Sequence, residues 1–387
     1  MQMLGTDDTL SGEYLHFITL IAASQRAPPT NLEPRRYSRI NRELDQSHFL
    51  GDTGFAFTQF KAIHGALKIP NPVRTREQDC VDSKSSFFLL CAFFRNRSLR
   101  SLEGQYGWSH PVISRVVRHL SRWIYRRWGH LLDVQSTRHR LVCPRKLEEY
   151  AAAVQRKFKL PRFWGAINGT VRPIAMPVFQ QETVYNGPKQ CHALKYQFIS
   201  LPNGLIFCSM PYVDRRHDAY VVVDTDLVDW ARDNAKNEAG EQMYLYGGQA
   251  YGNSAAIVTA FGGNIISSMQ DAFNHIMNKF RIQVEWPIGM IPRQWPRFSV
   301  KREQKAGLTP MGQYWLVGVL LFNAKTCLVG NQVSMRLHCS PPSLEEYFSN
   351  WRVRRTIVSP DSTLSQSGVP SQAMADNEDE TLVENVL

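Results

Sequence analysis

Three arginines, Arg115, Arg118 and Arg122, follow one another at spacings of three and four residues. Residues at these spacings share one face of an α-helix. Guanidinium groups bind phosphate oxygens, so a row of them favours contact with a nucleic acid backbone, which contributes affinity without reading the base sequence. The solvated basic face of an ordinary amphipathic helix has the same pattern, and the arginines alone do not separate the two interpretations.

The segment that would position these arginines is predicted to be helical. Residues 85–94 (SSFFLLCAFF) are apolar, and residues 98–106 (SLRSLEGQY) place their apolar side chains on one helical face. Gly107 then ends the second helix, and Ser109 would cap a third helix that has Pro111 in its first turn. Opposite its arginines, the third helix carries an apolar stripe of Val112, Ile113, Val116, Val117, Leu120 and Ile124. Two short helices around a glycine turn are typical of a helix-turn-helix DNA-binding segment.

The positive charge is concentrated in the same region. The chain has a formal net charge of +11, and 13 Lys and Arg but only two acids lie between Lys84 and Lys146. We therefore expect an all-helical DNA-binding segment at 76–155, after a poorly defined N-terminal arm at 1–75. Residues 356–387 contain six acids and no Lys or Arg, which predicts a disordered acidic tail.

Cysteines and apolar runs narrow the class of protein. The seven cysteines include no CxxC pair, which disfavours a zinc site and is typical of reduced thiols in an intracellular protein. The apolar run at 314–322 (YWLVGVLLF) is too short to span a bilayer and predicts a buried core helix. We expect a soluble protein that has no membrane partner.

From about residue 160, short β-rich runs replace the helical pattern. FWGAINGT (163–170), HALKYQFISLPNG (192–204) and LIFCSMPYV (205–213) predict successive strands, with LPNG as a hairpin turn. Residues 220–236 predict a helix, and apolar residues recur at helical spacing through 271–290. Strands followed by helices indicate a mixed α/β layer fold.

Six segments in a fixed order resemble the DDE endonuclease domain of Harbinger-type (PIF/Harbinger) transposases. They are FWGAINGT (163–170), YNGPKQCHALKYQFISLPNGLI (185–206), RRHDAYV (215–221), YLYGGQAYG (244–252), NHIMNKFRIQVEWPIG (274–289) and VGVLLFNAKTC (317–327). The family pattern runs GAIDGT, YNGxKxxH, HD, GDxAY and RxxVExxFG. The upstream helical segment matches the family's helix-turn-helix in position, so the resemblance spans about residues 80 to 345.

The resemblance implies an RNase H-like fold at 160–350, with a mixed sheet and flanking helices. It also implies two acids at strand ends and a helical glutamate, which hold two Mg²⁺ or Mn²⁺ ions for phosphodiester cleavage. In this sequence the three catalytic positions fall on Asn168, Gly248 and Glu285, so Glu285 alone keeps a carboxylate. Asn168 would remain a weak metal ligand through its carbonyl oxygen, and Gly248 offers no side chain. We therefore expect the metal site to be broken.

Substitute ligands are scarce near the missing acids. No Asp or Glu lies between Glu241 and Asp271, and Asp218, beside His217 in the family's HD motif, is the best candidate for a further metal ligand. Three basic residues near these motifs fit phosphate contacts or ordinary solubilising charge: Lys189, Lys195 and Arg215.

Three functions remain open. The first is a transposase-derived DNA-binding protein that has lost or weakened cleavage, and the second is an active metal-dependent nuclease or transposase with a substitute ligand such as Asp218. The third is an interaction module for a Myb-like DNA-binding protein, because Harbinger-type transposases act with such a partner. The resemblance and the basic clusters imply location in the nucleus, with the cytoplasm as a second compartment.

Overall fold

A computed structural model of the chain describes residues 35–36, 46–137, 140–178, 181–213, 218–263, 266–306 and 308–349. The described helices are α1 (Gln46–Thr53), α2 (Phe57–Leu67), α3 (Ser83–Phe94), α4 (Leu99–Tyr106), α5 (His110–Trp128), α6 (Pro144–Phe158), α7 (Asp218–Asp224), α8 (Leu227–Asn234), α9 (Ser268–Gln294), α10 (Met311–Val329), α11 (Gln332–Leu337) and α12 (Leu344–Tyr347). The described strands are β1 (Arg35–Arg36), β2 (Val73–Arg74), β3 (Asp79–Val81), β4 (Phe163–Pro173), β5 (Tyr185–Asn186), β6 (Cys191–Ser200), β7 (Ile206–Cys208), β8 (Tyr212–Val213), β9 (Tyr244–Gly247) and β10 (Ile257–Thr259).

The three helices predicted before and around the arginines are confirmed as α3, α4 and α5. The carboxylate of Asp82 caps α3 by accepting a hydrogen bond from the Ser85 N–H at 3.0 Å. The hydroxyl of Ser98 caps α4 by accepting from the Ser101 N–H at 3.0 Å. Gly107 ends α4 with a φ of 70°, a left-handed conformation that favours glycine.

Helix α5 buries the predicted apolar stripe between Val112 and Ile124. Pro111 lies in its first turn, where the missing proline N–H leaves no helical carbonyl unpaired. Ser109 is the N-cap residue as predicted, but its side chain makes no capping hydrogen bond.

The prediction of an all-helical segment at 76–155 is wrong at β3. This strand pairs antiparallel with β2 and parallel with β1. Strands of two or three residues are too short to show an alternating apolar pattern, which is why the sequence did not reveal them. The structure also describes α1 and α2 within 1–75, whereas the predicted acidic tail at 356–387 lies outside the described residues. Across the described ranges, no helix combines the length and apolarity needed to cross a membrane.

The larger sheet has the strand order β10-β9-β4-β6-β5, and β7 and β8 also pair with β6. Its central strand β4 lies antiparallel to β6 and parallel to β9, so the sheet is mixed. The strands predicted at 163–170 and 192–204 are confirmed as β4 and β6, whereas the strand predicted at 205–213 is divided into β7 and β8. The hairpin turn between β6 and β7 contains Gly204 with a φ of 84°.

The helix predicted through 220–236 is interrupted. It forms α7 and α8, which are separated by Asp226 in a left-handed conformation with a φ of 48°. Aspartate tolerates this conformation better than most residues. The Thr225 hydroxyl donates to the Val221 carbonyl at 2.8 Å and so satisfies one of the acceptors at the end of α7.

Helix α10 is buried along most of its length, as predicted for 314–322. On one side, the Gln313 amide donates to the Ser121 hydroxyl of α5 at 3.1 Å. On another side, the Asn323 amide donates to the Ile206 carbonyl of β7 at 2.8 Å. The apolar side chains of α10 therefore belong to one hydrophobic core that includes both the N-terminal helices and the larger sheet.

Candidate functional site

The three positions predicted for the metal site meet at one end of the larger sheet. Asn168 lies on β4, Gly248 directly follows β9, and Glu285 lies on α9. Ile167 of β4 is in register with Gly247 of parallel β9, so the next residue of each strand reaches the same level of the sheet. The Asn168 amide donates from Nδ2 to Glu285 Oε1 at 2.5 Å and joins β4 to α9.

The orientation of the Asn168 side chain follows from its partners. An ionised carboxylate only accepts hydrogen bonds, so the amide nitrogen of Asn168 has to face Glu285. The amide oxygen accepts from the N–H of Gly169 at 2.9 Å. The carbonyl oxygen expected to act as a weak metal ligand is therefore engaged by the backbone of its own strand.

A second donor reaches the same carboxylate oxygen. Arg281, one helical turn before Glu285, pairs through Nε with Glu285 Oε1. A Cβ added at Gly248 would lie 3.8 Å from Arg281 Nη1, an ordinary van der Waals separation. The guanidinium thus stands between the surviving carboxylate and the position where the family pattern places its second acid.

Tyr246 of β9 shares the environment of this pair. Burial raises the pKa of its hydroxyl, the positive charge of Arg281 lowers it, and the negative charge of Glu285 raises it. The hydroxyl therefore stays protonated near neutral pH and offers no negative charge to a cation.

Arg172 lies on β4, on the same face as Asn168. Its Nη2 donates to the Ile288 carbonyl of α9 at 3.3 Å, and its guanidinium lies over the Trp315 ring at 4.2 Å. The Ile288 carbonyl has no helical donor, because the residue four positions later is Pro292, which has no N–H. Burial lowers the pKa of Arg172 to about 10, so the group remains a cation at neutral pH.

The donor set does not fit a pair of Mg²⁺ or Mn²⁺ ions. Hard divalent cations need several oxygen ligands, and Glu285 brings a single carboxylate that already accepts from two donors. Over the described part of the chain, no group of three or more His, Cys, Asp and Glu side chains could hold a metal ion. The predicted substitute Asp218 begins α7, but its side chain, like His217, lies outside the described residues.

The three arginines of α5 differ in their surroundings. Arg115 forms an ion pair with the buried carboxylate of Asp79 at 2.7 Å. Arg118 is exposed and donates to the Leu308 carbonyl at 3.0 Å. Burial lowers the pKa of Arg122, and the positive charges of Arg126, Arg76 and Arg118 lower it further, which indicates a patch of several guanidinium groups.

The other predicted DNA contacts are spread out. Lys189 is exposed in the turn before β6, where its N–H donates to Asn186 Oδ1 at 2.7 Å. Lys195 is half-buried on β6, in register with Tyr212 of β8. Arg215 lies outside the described residues.

One family of known proteins matches the part of the chain that forms the larger sheet and its helices. Residues 167–323 match the family model described as the DDE superfamily endonuclease. The matched range begins within β4, ends within α10, and contains Asn168, Gly248 and Glu285. The mixed sheet with flanking helices is compatible with such a nuclease domain, and the match supports a transposase-derived, nuclease-like character. Comparisons with curated proteins and with solved structures gave no match.

Two site residues were missed by sequence reasoning. Arg281 had two signals: it falls on the arginine of the family pattern RxxVExxFG, and a basic and an acidic residue four positions apart on a predicted helix are expected to pair. Arg172 had almost none, because its contact with α9 depends on the distant Pro292 and on strand register.

Proposed function

We propose that this chain is a Harbinger-type, transposase-derived protein that binds DNA and has lost metal-dependent phosphodiester cleavage. The observation that carries the proposal is the double engagement of Glu285 Oε1 by the Asn168 amide and the Arg281 guanidinium. Asn168 stands where the family pattern has an acid, and Arg281, the arginine of the pattern RxxVExxFG, pairs with Glu285 in the absence of the second acid.

Charge explains why this arrangement opposes cleavage. The carboxylate of Glu285 and the guanidinium of Arg281 sum to zero, so they give no net attraction for divalent cations. If positions 168 and 248 carried acids, these two carboxylates together with Glu285 and Arg281 would have a net charge of −2. Two-metal cleavage of a phosphodiester depends on such carboxylates to hold the ions that stabilise the attacking and leaving oxygens.

DNA binding is supported by the patch on α5. Arg118, Arg122 and Arg126 lie on its polar side, and Arg76 from the neighbouring β2–β3 turn adds its charge to theirs. Like charges brought together in this way favour an anionic partner, and a DNA backbone supplies closely spaced phosphates. Nuclear location agrees with this function and is part of the same proposal.

The test is nicking of supercoiled DNA in Mn²⁺. The native chain is compared with the double variant Asn168→Asp, Gly248→Asp, and with that variant carrying Glu285→Gln. We expect nicking by the double variant alone, because the added acid at 248 gives Arg281 a second partner and releases Glu285. Equal nicking by the native chain, abolished by Glu285→Gln, would overturn the loss of activity.

A second candidate is an active nuclease that uses Asp218. Helix α7, which begins at Asp218, packs against the turn at Gln249–Tyr251 directly after Gly248. This packing places the helix that begins at Asp218 beside the position of the second acid. Nicking by the native chain that disappears in Asp218→Asn would favour this candidate over the first.

A further inference from the structure

We infer that the space beside Arg281, left open by the glycine at position 248, is a metal-independent binding site for a phosphate oxyanion of the DNA backbone. This inference rests on the proposed DNA binding. It assigns a role to the cleft formed by Asn168, Gly248, Arg281 and Glu285, whose donor set does not fit a pair of metal ions. The cleft would hold DNA directly through the Arg281 guanidinium, whereas a metal-loaded site would hold it through bound cations.

The guanidinium of Arg281 is fixed but only partly used. Its Nε pairs with Glu285, and no hydrogen bond from Nη1 or Nη2 occurs within the described ranges. The side chain is 38% exposed, so these nitrogens reach solvent. A guanidinium held at Nε still presents a planar set of donors that match the geometry of a phosphate or carboxylate.

The neighbouring space has the properties of an anion position. Arg281 Nη1 and Cζ lie 3.8 and 4.0 Å from an added Cβ at Gly248, and among the described residues no other atom outside 247–249 lies within 4 Å of it. A side-chain carboxylate at position 248 would therefore have room beside the Arg281 guanidinium and could pair with it. With glycine present, an oxyanion of a ligand can take the same place and gain the same charge-assisted hydrogen bonds.

A second cation contacts helix α9 close to Glu285. Arg172 reaches the carbonyl of Ile288, three residues after Glu285 on α9. Its buried Nε has no hydrogen-bond partner, and the groups that raise its pKa are Tyr196 and Cys208, without a carboxylate among them. Arg172 therefore brings a second guanidinium to helix α9, about one helical turn after Glu285.

The experiment measures binding of a fluorescently labelled DNA duplex by anisotropy, with EDTA present throughout. The main variant is Gly248→Asp, which places a carboxylate beside Arg281. Gly248 has a φ of −65° and a ψ of 162°, a conformation that any residue adopts, so the variant is expected to fold. The matched control is Gly65→Asp on α2, which adds the same charge at an exposed position where the described residues outside the chain neighbours and the helix backbone leave the new Cβ free of contacts within 4 Å.

We expect the native chain to bind DNA in EDTA and Gly248→Asp to raise the Kd at least about tenfold, as expected for loss of a charge-assisted hydrogen bond. Gly65→Asp should change the Kd by less than about twofold, since an isolated exposed charge has little effect. Equal Kd values for Gly248→Asp and Gly65→Asp would overturn the inference.

Two further measurements separate the possible failures. If the native chain does not bind DNA, or if Arg118→Gln with Arg122→Gln leaves the Kd unchanged, the proposed function itself fails. Inorganic phosphate alone is titrated and followed by thermal stabilisation of the native and Gly248→Asp chains. Stabilisation by phosphate that depends on Gly248, without any effect of that residue on DNA binding, would assign the site to free phosphate and overturn the assignment to DNA.

Discussion

Arg115 and Asp79 form a bidentate ion pair, with Nε to Oδ2 at 2.7 Å and Nη2 to Oδ1 at 3.0 Å. The Asp79 side chain is fully buried and also accepts from the Thr75 hydroxyl at 2.8 Å. The pair fastens strand β3 to helix α5. Arg115 therefore stabilises the fold, whereas Arg118 and Arg122 remain on the basic patch.

Replacement of Arg115 should destabilise the protein. Arg115→Gln would remove the bidentate guanidinium partner of the buried Asp79 carboxylate, and the expected loss in the free energy of unfolding is about 3 kcal/mol. Urea denaturation followed by circular dichroism measures it. Arg118→Gln, which removes an exposed guanidinium from the same helix, serves as the control and should cost less than about 1 kcal/mol. Equal losses for the two variants would contradict this assignment of roles.

Asn168→Asp alone should be destabilising near neutral pH. The variant replaces the amide that donates to Glu285 by a carboxylate, so two negative groups would face each other. We expect a loss of about 1–3 kcal/mol in the free energy of unfolding at pH 7.5. The loss should shrink toward pH 5, because a shared proton relieves the repulsion.

An exposed asparagine–glutamate pair provides the control for that variant. Asn237 donates to Glu241 Oε2 at 2.9 Å at the protein surface, so Asn237→Asp makes the same chemical change in water. Its effect should stay within about 0.5 kcal/mol. If Asn168→Asp lowered the free energy of unfolding no more than Asn237→Asp does, the hydrogen bond from Asn168 to Glu285 would not contribute to stability.

The contact between Arg172 and Ile288 predicts a coupling with Pro292. Arg172→Met should lower the free energy of unfolding by about 1–3 kcal/mol, because the buried Ile288 carbonyl would lose its donor. Pro292→Ala restores a backbone N–H four residues after Ile288, so Arg172→Met should cost less in that background. A double-mutant cycle by chemical denaturation measures the coupling, and additive effects would contradict it.

Three histidines with lowered pKa values, His64, His119 and His130, predict how the stability of the protein changes as the pH falls. Burial lowers the pKa of His64 below its ordinary value of 6.5, with a further decrease from Lys84 that Asp82 opposes. Burial and the charges of Arg122 and Arg126 lower the pKa of His119, and Glu77 opposes them. Because the unfolded chain binds protons first as pH falls through 6.5, the free energy of unfolding should decrease below this pH and be unaffected by these groups above it.

Unfolding midpoints in urea between pH 7.5 and 5.5 test the histidine prediction. The double variant His64→Gln, His119→Gln should show a smaller decrease over this interval than the native chain. An unchanged slope in the double variant would assign the acid response to other groups.

The fold could be predicted from sequence where patterns are long and local. Helix α5 was predictable from its apolar stripe, the preceding glycine turn and Pro111. The buried helix α10 was predictable from its uninterrupted apolar run. Strand β3 was not predicted, because three residues are too few to show an alternation of apolar and polar side chains. The break between α7 and α8 at Asp226 was not predicted either, because the apolar pattern continues across it.

The assignment of the site residues to a function stays a prediction, although the three positions lie close together. The motif order placed Asn168, Gly248 and Glu285 in one site, and the structure brings these three positions together. The sequence did not reveal which atom of the Asn168 amide faces Glu285, since this depends on the partners of both groups. The role of Arg115 was likewise hidden, because its acidic partner lies 36 residues away on another element.

The position of α10 late in the chain has a consequence for synthesis on the ribosome. One side of α5 is covered by α10, through Gln313 and its neighbours, yet about 200 residues separate the ends of the two helices (329 minus 128). At 5–20 residues per second, roughly 10–40 s pass between their emergence. During that interval the nascent chain exposes apolar surface that only its own later sequence can cover, so the N-terminal helices and the sheet are expected to mature as one unit after translation reaches α10.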